Sequence, residues 1–143
     1  MGKYVLVIDE GTTGTRALIF DSGFNIAAQA YQEFTQYTPQ ENMVEHDAME
    51  IYAKSVGVCR EAIEMAGLSS DDIACMGITN QRNTCVIWDK NTGEPLYNAI
   101  VWQDSRTGQA VDAIKRTEWA EKILQETGKV IAPHNNALII KWY

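Results

Sequence analysis

The chain has 143 residues, of which 45% are hydrophobic and 22% charged, and its formal net charge is −7. This composition is typical of a globular protein that can bury an apolar core without disulfides or metals. The negative charge argues against a protein that coats nucleic acid or an anionic membrane surface.

Features of the sequence also predict a cytoplasmic protein. The three cysteines are odd in number and have no C-x-x-C spacing, as a reducing compartment permits. The first apolar run is too short for a signal peptide and becomes acidic at Asp9. No stretch reaches the length of a membrane span.

The first part of the chain predicts a three-stranded meander. Residues 4–9 and 16–21 are two apolar runs, and a connection rich in glycine and threonine joins them. Such a connection favours a hairpin. After the turn at Ser22 and Gly23, a loose alternation from Phe24 predicts the third strand.

A polar loop that contains Pro39 precedes a predicted helix over residues 48–66. Apolar and small residues recur in this helix at helical spacing. Asp47 and Glu50 have the spacing of a capping box, and Gly67 predicts the end of the helix.

Beyond this helix, strands are predicted over residues 72–79 and 84–89, separated by the polar turn NQRN. A turn over 90–95 leads to a short extended piece, YNAIVWQD. Helices are predicted over 107–116 and 118–126, with Gly128 as a stop signal and a last helix after APHNN.

The order β-β-β-α-β-β-α predicts one mixed α/β domain instead of the strict βαβ alternation of a dinucleotide-binding fold. The last residues, NNALIIKWY, are rich in apolar side chains and carry no helix cap. We therefore expect the sequence to be a piece of a longer protein.

The segment DEGTTGTR, between the first two strands, has the composition of an anion-binding loop. Its glycines let the backbone approach a ligand closely, and successive N–H groups in such a turn can form an anion-binding concavity. The side chains that suit a polyphosphate are Thr12, Thr13, Thr15 and Arg16. The loop is not a Walker A loop, because it lacks the lysine pattern and joins two strands. A plain hairpin turn is the alternative.

Asp9 is the candidate ligand for a metal. A carboxylate beside a phosphate loop would repel the ligand unless a cation lay between them. Mg²⁺ takes one or two carboxylates and keeps most of its waters. The position of Asp9 at the end of the first strand therefore predicts a Mg²⁺ site.

Three stretches resemble a known family. DEGTTGTRALIFD resembles the phosphate loop of the FGGY carbohydrate kinases, within the actin-like ATPase superfamily. GITNQRNTCVIWDKNTGEPLYNAIVWQDSRT (77–107) resembles the signature region of the glycerol kinases in that family, and MVEHDAMEIY (43–52) matches the segment that leads into their helix. The resemblance implies a ribonuclease-H-like, actin-like ATPase fold with a mixed β-sheet flanked by helices. Residues 1–143 would be part of the N-terminal kinase domain, and the C-terminal domain would be absent.

For the nucleotide, the resemblance implies ATP and Mg²⁺ as cofactors. Thr12, Thr13 and Gly14 would form the phosphate loop, Arg16 would lie near the phosphates, and Asp9 would act on Mg²⁺ through water. Serine is common in the family where this chain has Gly14, so one hydroxyl contact is missing here.

For the substrate, the resemblance implies four residues. Arg82 is retained from a QRE motif that binds the polyol, and its planar fork can donate to two hydroxyls. Asn83 replaces the glutamate, and an amide accepts more weakly than a carboxylate. Trp102 matches a tryptophan that packs against the carbon face of the substrate. His134 stands where a tyrosine helps to bind glycerol.

These two departures leave the substrate open between glycerol and a related polyol or sugar such as xylulose or erythritol. The resemblance places the catalytic base, an aspartate, beyond Tyr143, so the chain would hold no catalytic residue and would be inactive alone. Asp104 matches a family acid near the cleft, and an ion pair with Arg106 is the alternative.

The expected partners are ATP and a small polyol or sugar, without nucleic acid or membrane, in a full-length homo-oligomer. Two alternatives stay open. One is a non-catalytic actin-like module that binds sugar or nucleotide. The other is a nuclease on a ribonuclease-H-like core, with the carboxylates Asp9, Glu10, Asp21 and Asp89 as metal ligands. The acidic charge and the absence of a basic stripe argue against the nuclease.

Overall fold

A computed structural model describes residues 3–143, and the chain divides into two compact units. Unit 1 comprises the residues up to Thr35 together with Asp47–Gln81, and unit 2 comprises Gln36–His46 and Arg82–Tyr143. Within residues 3–143, no helix combines the length and the apolar character needed to cross a bilayer. In chain order the elements are β1 (Tyr4–Glu10), β2 (Gly14–Phe20), β3 (Ile26–Glu33), β4 (Glu45–His46), α1 (Ala48–Met65), β5 (Ile73–Thr79), β6 (Ala99–Ile100), α2 (Gly108–Lys115), α3 (Trp119–Thr127) and α4 (Asn136–Trp142).

Unit 1 is built on a four-stranded mixed sheet in the order β3-β2-β1-β5. The pairs β1–β2 and β2–β3 are antiparallel, so the predicted meander is confirmed. β5 runs parallel to β1, and the chain between them contains α1. A parallel neighbour needs such a crossover, because a tight turn can only reverse the chain.

The core of unit 1 lies on one face of this sheet. α1 packs on β2 and β3, and the side chains that form the core are Leu6, Ala17, Ile19, Ala30, Val58 and Ala62. Residues of β1 and β2 that alternate with these point to the opposite face, since side chains along a strand alternate. The end of that opposite face beside the β1–β2 loop carries the polar residues predicted to bind phosphate and metal.

The predicted helix over 48–66 is confirmed as α1, and its N-terminus is capped by Asp47. The Asp47 carboxylate accepts hydrogen bonds from the backbone N–H groups of Met49 (2.8 Å) and Glu50 (3.3 Å). The reciprocal half of the predicted capping box is wrong. The Glu50 carboxylate accepts from the backbone and hydroxyl of Thr35 and pairs with Lys54 at 2.7 Å.

Unit 2 contains the three short helices predicted for the second half of the chain and a two-stranded ladder. The ladder pairs β4 with β6 in antiparallel fashion, and β4 was expected to be loop. The predicted strand over 84–89 is wrong. Its chain forms isolated bridges at Cys85–Ile100 and Trp88–Pro95, and it turns at Asp89, which accepts from the backbone of Gly93. Pairing at separate points gives no continuous ladder.

A buried group of charges lies within unit 2. The Arg106 guanidinium lies 2.6 Å from the Glu45 carboxylate and 2.8 Å from that of Asp104, and all three side chains are at most 2% exposed. Tyr97 and Asn98 also donate to Glu45, and Trp142 lies 4.3 Å from the guanidinium, measured to its ring centroid. The ion pair proposed as the alternative role of Asp104 is therefore present.

These contacts set the protonation of the group. Burial alone would raise the pKa of Glu45, but hydrogen bonds from Arg106, Asn98 and Tyr97 more than offset it, so the pKa is lowered. Burial alone would lower the pKa of Arg106, but hydrogen bonds to Asp104 and Glu45 outweigh it and raise the pKa. Both groups are charged at neutral pH.

Candidate functional site

The loop between β1 and β2 is held by hydrogen bonds to its backbone carbonyls. The Gly14 carbonyl accepts from the Gly11 N–H at 3.0 Å, and the Thr13 carbonyl accepts from the Phe34 N–H at 2.9 Å. The Gly11 carbonyl accepts from the Gln81 amide at 2.8 Å. Three loop carbonyls are thus bound to protein donors, which fixes the backbone of the loop.

A row of side chains crosses the sheet beside this loop. Asp9 of β1 is the register partner of Arg16 in β2 and of Thr79 in β5, and Arg16 is the partner of Tyr31 in β3. All four residues are exposed. Directly opposed residues have Cβ atoms roughly 5 Å apart. The row therefore places the acidic Asp9 and the basic Arg16 side by side next to the loop.

Asp9 and Arg16 do not form an ion pair, although they are opposed. The Asp9 carboxylate makes no hydrogen bond or ion pair with any residue from 3 to 143. The Arg16 guanidinium carbon lies 5.5 Å from the centroid of the Tyr31 ring. Both side chains are exposed, so the carboxylate and the guanidinium are accessible to a ligand.

On the other face of the sheet, Glu10 ties the loop to the helix. Its carboxylate accepts from the Thr15 hydroxyl at 2.9 Å and from the Ser55 hydroxyl of α1 at 2.6 Å. Thr15 is fully buried. The expectation that the Thr15 hydroxyl serves a polyphosphate is wrong, because that hydroxyl is used inside the protein. The exposed hydroxyl of the loop belongs to Thr13, and Thr12 is half-buried.

Gly14 is constrained by its neighbours and not by its dihedral angles. A Cβ atom there would collide with the Gln32 carbonyl and would lie 2.6 Å from the Tyr31 hydroxyl. A backbone carbonyl cannot move without shifting β3, so a serine does not fit at this position.

The residues beside the loop fit a Mg²⁺ ion that arrives with its ligand. Residues 3–143 contain no cluster of three or more histidine, cysteine or acidic side chains that could hold a metal by themselves. One open carboxylate beside an anion-binding loop is what Mg²⁺ uses when waters and phosphate oxygens complete its octahedron. The same finding argues against the nuclease alternative, which requires a cluster of metal-binding carboxylates. In unit 1 Glu10 is bound by Thr15 and Ser55, and Asp21 is bound within its own turn by Gly23 and Asn25.

In unit 2, the predicted substrate residues lie on loops. Arg82 and Asn83 are exposed in the turn after β5, and Asn83 has a positive φ of 62°. Trp102 is 44% exposed in the turn after β6. His134 is half-buried in the turn before α4, where the Thr107 hydroxyl donates to the Pro133 carbonyl at 2.8 Å.

Direct contacts do not gather these residues into one cluster. Arg82 makes no hydrogen bond or ion pair within the described part of the chain, and the same is true of Asn83. A cavity of about 360 Å³ in unit 2 is lined by α2, α3, α4 and the segment before α4, and its walls are almost wholly apolar. None of the four predicted residues lines it.

Sequence comparison identifies the family. Residues 4–143 match the profile of the FGGY family of carbohydrate kinases, N-terminal domain. The chain belongs to this family. The match includes residues of both units.

Individual relatives agree with this assignment. The chain is 50% identical over 142 residues to the glycerol kinase of Brachyspira hyodysenteriae, which covers 99% of this chain and 29% of that protein. The glycerol kinase of Plasmodium falciparum, solved with ADP, superposes with a TM-score of 0.88 at 32% identity over 99% of this chain and 29% of that one. The chain therefore spans about 29% of the length of the relatives it matches.

The fold extends beyond the glycerol kinases. A gluconate kinase from Lactobacillus acidophilus superposes with a TM-score of 0.89 at 21% identity, over 98% of this chain and 28% of that chain. At this identity the likeness concerns the fold alone. The actin-like α/β fold that the sequence predicted is confirmed.

Two residues of the site were not predicted. Gln81 lies in the NQRN turn of this chain, but its bond to Gly11 joins residues 70 positions apart and cannot be read from the local sequence. Glu10 was considered only as a metal ligand for a nuclease. Its position next to Asp9 places it on the opposite face of β1, and this alternation was the available signal.

Proposed function

We propose that the protein is an ATP-dependent kinase that phosphorylates glycerol or a closely related polyol. The observation that carries the proposal is the loop of unit 1, which is held by backbone hydrogen bonds. Beside it, Asp9 and Arg16 lie opposite each other without forming an ion pair. A plain hairpin turn would need neither the open carboxylate nor the open guanidinium. The 50% identity to a glycerol kinase favours glycerol over the sugars that other family members use.

In this proposal, unit 1 binds the phosphates of ATP. Thr12, Thr13 and Gly14 present backbone and hydroxyl donors, and Arg16 contributes a permanent positive charge. Because the loop carbonyls are already bound to Gly11, Phe34 and Gln81, they do not face the phosphates and repel them. Phosphoryl transfer depends mostly on such positioning and on charge neutralisation.

Asp9 would hold Mg²⁺, through water. When bound, Mg²⁺ neutralises charge on the phosphate oxygens. The contribution of the chain is a single carboxylate without a protein partner, so that no ion pair has to break before the metal is bound.

Unit 2 would bind the polyol. Arg82 would donate hydrogen bonds to two hydroxyls of the polyol, and Asn83 would form a further hydrogen bond to it. Trp102 would pack against its carbon face, and His134 would line the site. The positive φ of Asn83 favours asparagine over glutamate at this position, because asparagine adopts the left-handed region more readily than most other residues. The aspartate base would come from beyond Tyr143, as part of a longer protein.

A kinetic experiment on the full-length protein tests the proposal. A coupled assay with MgATP measures turnover of glycerol, erythritol and xylulose. We expect glycerol to give the highest kcat/KM. In Arg82→Ala the polyol KM should rise by about 10- to 100-fold, as expected for the loss of a charged hydrogen-bond donor. The KM for ATP should change little.

The exposed Arg60 of α1 provides the matched control, since Arg60→Ala should leave both constants unchanged. Residues 1–143 alone should show no turnover, because a cleft with one wall cannot exclude water. Turnover of none of the three substrates by the full-length protein would refute the proposal. Higher kcat/KM for xylulose would refute the glycerol assignment.

A further inference from the structure

The geometry points to Tyr31 as a positioning residue that keeps Arg16 away from Asp9. This inference rests on the proposed function and adds a residue of β3 to the proposed phosphate site. Its basis is the row that crosses the sheet, in which Arg16 lies between Asp9 on one side and Tyr31 on the other.

Arg16 has two register partners in the row, Asp9 on β1 and Tyr31 on β3. An aspartate opposite an arginine on neighbouring strands is a normal setting for an ion pair. In this structure the guanidinium instead lies over the Tyr31 ring, 5.5 Å from its centroid, and Asp9 remains unpaired. The negative face of the ring attracts the cation without neutralising it.

The consequence concerns both groups that the phosphates and the metal need. If Arg16 formed an ion pair with Asp9, that ion pair would have to break before Arg16 could bind phosphate or Asp9 could bind Mg²⁺. With the guanidinium on the ring, its edge keeps its N–H donors and Asp9 keeps its oxygens. The tyrosine thereby maintains two opposite charges side by side and unpaired.

Gly14 provides the space that this arrangement requires. A Cβ atom at position 14 would lie 2.6 Å from the Tyr31 hydroxyl and 2.8 Å from the ring carbon that bears it. The same hydroxyl lies 3.4 Å from the Thr13 hydroxyl. The ring therefore lies against the loop as well as under the arginine, and the missing side chain of Gly14 is what lets it do so.

The experiment compares variants of the full-length enzyme with and without the ring. Tyr31→Ala and Tyr31→Leu remove the ring, Tyr31→Phe keeps it, and Tyr52→Ala removes an exposed tyrosine of α1 as a control. KM for MgATP, KM for the polyol, kcat and the Mg²⁺ concentration for half-maximal rate are measured for each.

We expect both ring-free variants to raise KM for MgATP and the Mg²⁺ requirement by about two- to fivefold, the factor that a cation–π contact at an exposed site supplies. The polyol KM should stay unchanged. Tyr31→Phe should behave nearly as the wild type, because the ring face and not the hydroxyl holds the cation. A merely structural role would lower stability or kcat without a selective change in the Mg²⁺ requirement.

Unchanged Mg²⁺ and MgATP constants in an active Tyr31→Ala or Tyr31→Leu enzyme would overturn the inference and leave the proposed function standing. A wild-type enzyme without kinase activity would overturn both. Arginine-labelled wild-type protein gives a measurement that does not depend on how the variants fold. The side-chain proton resonances of Arg16 should be shifted upfield by the ring relative to those of Arg60, and their coincidence would also overturn it.

Discussion

The two units carry the residues proposed to bind ligands on different kinds of structure. In unit 1 the loop proposed to bind phosphate joins two strands of a four-stranded sheet, and backbone hydrogen bonds and an apolar core determine its position. In unit 2 the ladder has two residues in each strand, and Arg82, Trp102 and His134 lie in turns outside any strand or helix. The interior of unit 2 includes a fully buried group of charges, Glu45, Asp104 and Arg106.

This difference indicates which substitutions should destabilise each unit most. A sheet that is paired along most of its strands and packed on an apolar core loses stability mainly through cavities in that core. A unit with few ladder bonds that encloses ion pairs is sensitive to any change that leaves one charge without its partner. The two units of this chain are therefore stabilised in different ways, unit 1 by an apolar core under a sheet and unit 2 in part by buried ion pairs.

The largest effect is expected from Arg106→Ala. The substitution leaves the carboxylates of Glu45 and Asp104 buried without their cation, which costs about 3–5 kcal/mol in the free energy of unfolding. Urea denaturation measures the loss, and hydrogen exchange locates it at amides of unit 2 such as those of Ile100 and Val101. Arg60→Ala is the exposed control. Equal midpoints for the two variants would show that the buried charges do not stabilise unit 2.

A somewhat smaller effect is expected from Ile19→Ala in unit 1. Ile19 is fully buried in the core between the sheet and α1, so its truncation should cost about 2–5 kcal/mol. Faster hydrogen exchange should concentrate in β1 and β2. Ile26→Ala, at a position 53% exposed on β3, is the matched control. If this variant and Arg106→Ala accelerated exchange at the same amides, the contrast between the units would fail.

The smallest effect is a pH dependence that belongs to unit 2. The pKa of Glu45 is lower in the folded protein than its ordinary value of 4.5, because hydrogen bonds from Arg106, Asn98 and Tyr97 outweigh the cost of burial. The unfolded state therefore binds more protons in the window between the two values. The contribution of Glu45 to stability is fully present above about pH 4.5 and is lost as the pH falls through the folded-state pKa.

Urea midpoints at pH 7, 5, 4 and 3 measure this dependence. Glu45→Gln should weaken the decline at low pH, whereas Glu41→Gln, at an exposed position, should keep the slope of the wild type. A decline of the same steepness in Glu45→Gln would mean that other carboxylates account for the acid sensitivity.

Much of unit 1 could be predicted because its signals are local. The apolar runs of β1 and β2, the threonine and glycine loop and the Asp47 cap each lie within a few consecutive residues, and the structure confirms these elements. The strand predicted over 84–89 fails for the opposite reason. Its apolar run is typical of a strand, but a ladder also needs a partner segment along its whole length, and here other segments of the chain pair with it only at isolated points.

The sequence by itself determined the family, through its resemblance to known kinases, and most of the helices and strands, because helical and strand periodicity and turn chemistry are properties of neighbouring residues. Only the tertiary structure decided that Thr15 is buried, that Gln81 holds Gly11, that Arg106 joins Glu45 to Asp104, and that Arg16 lies on Tyr31 beside an unpaired Asp9. Each of these is a choice among partners that strand register and packing bring within a few ångströms, and the energies that decide such choices do not exist until the chain has folded.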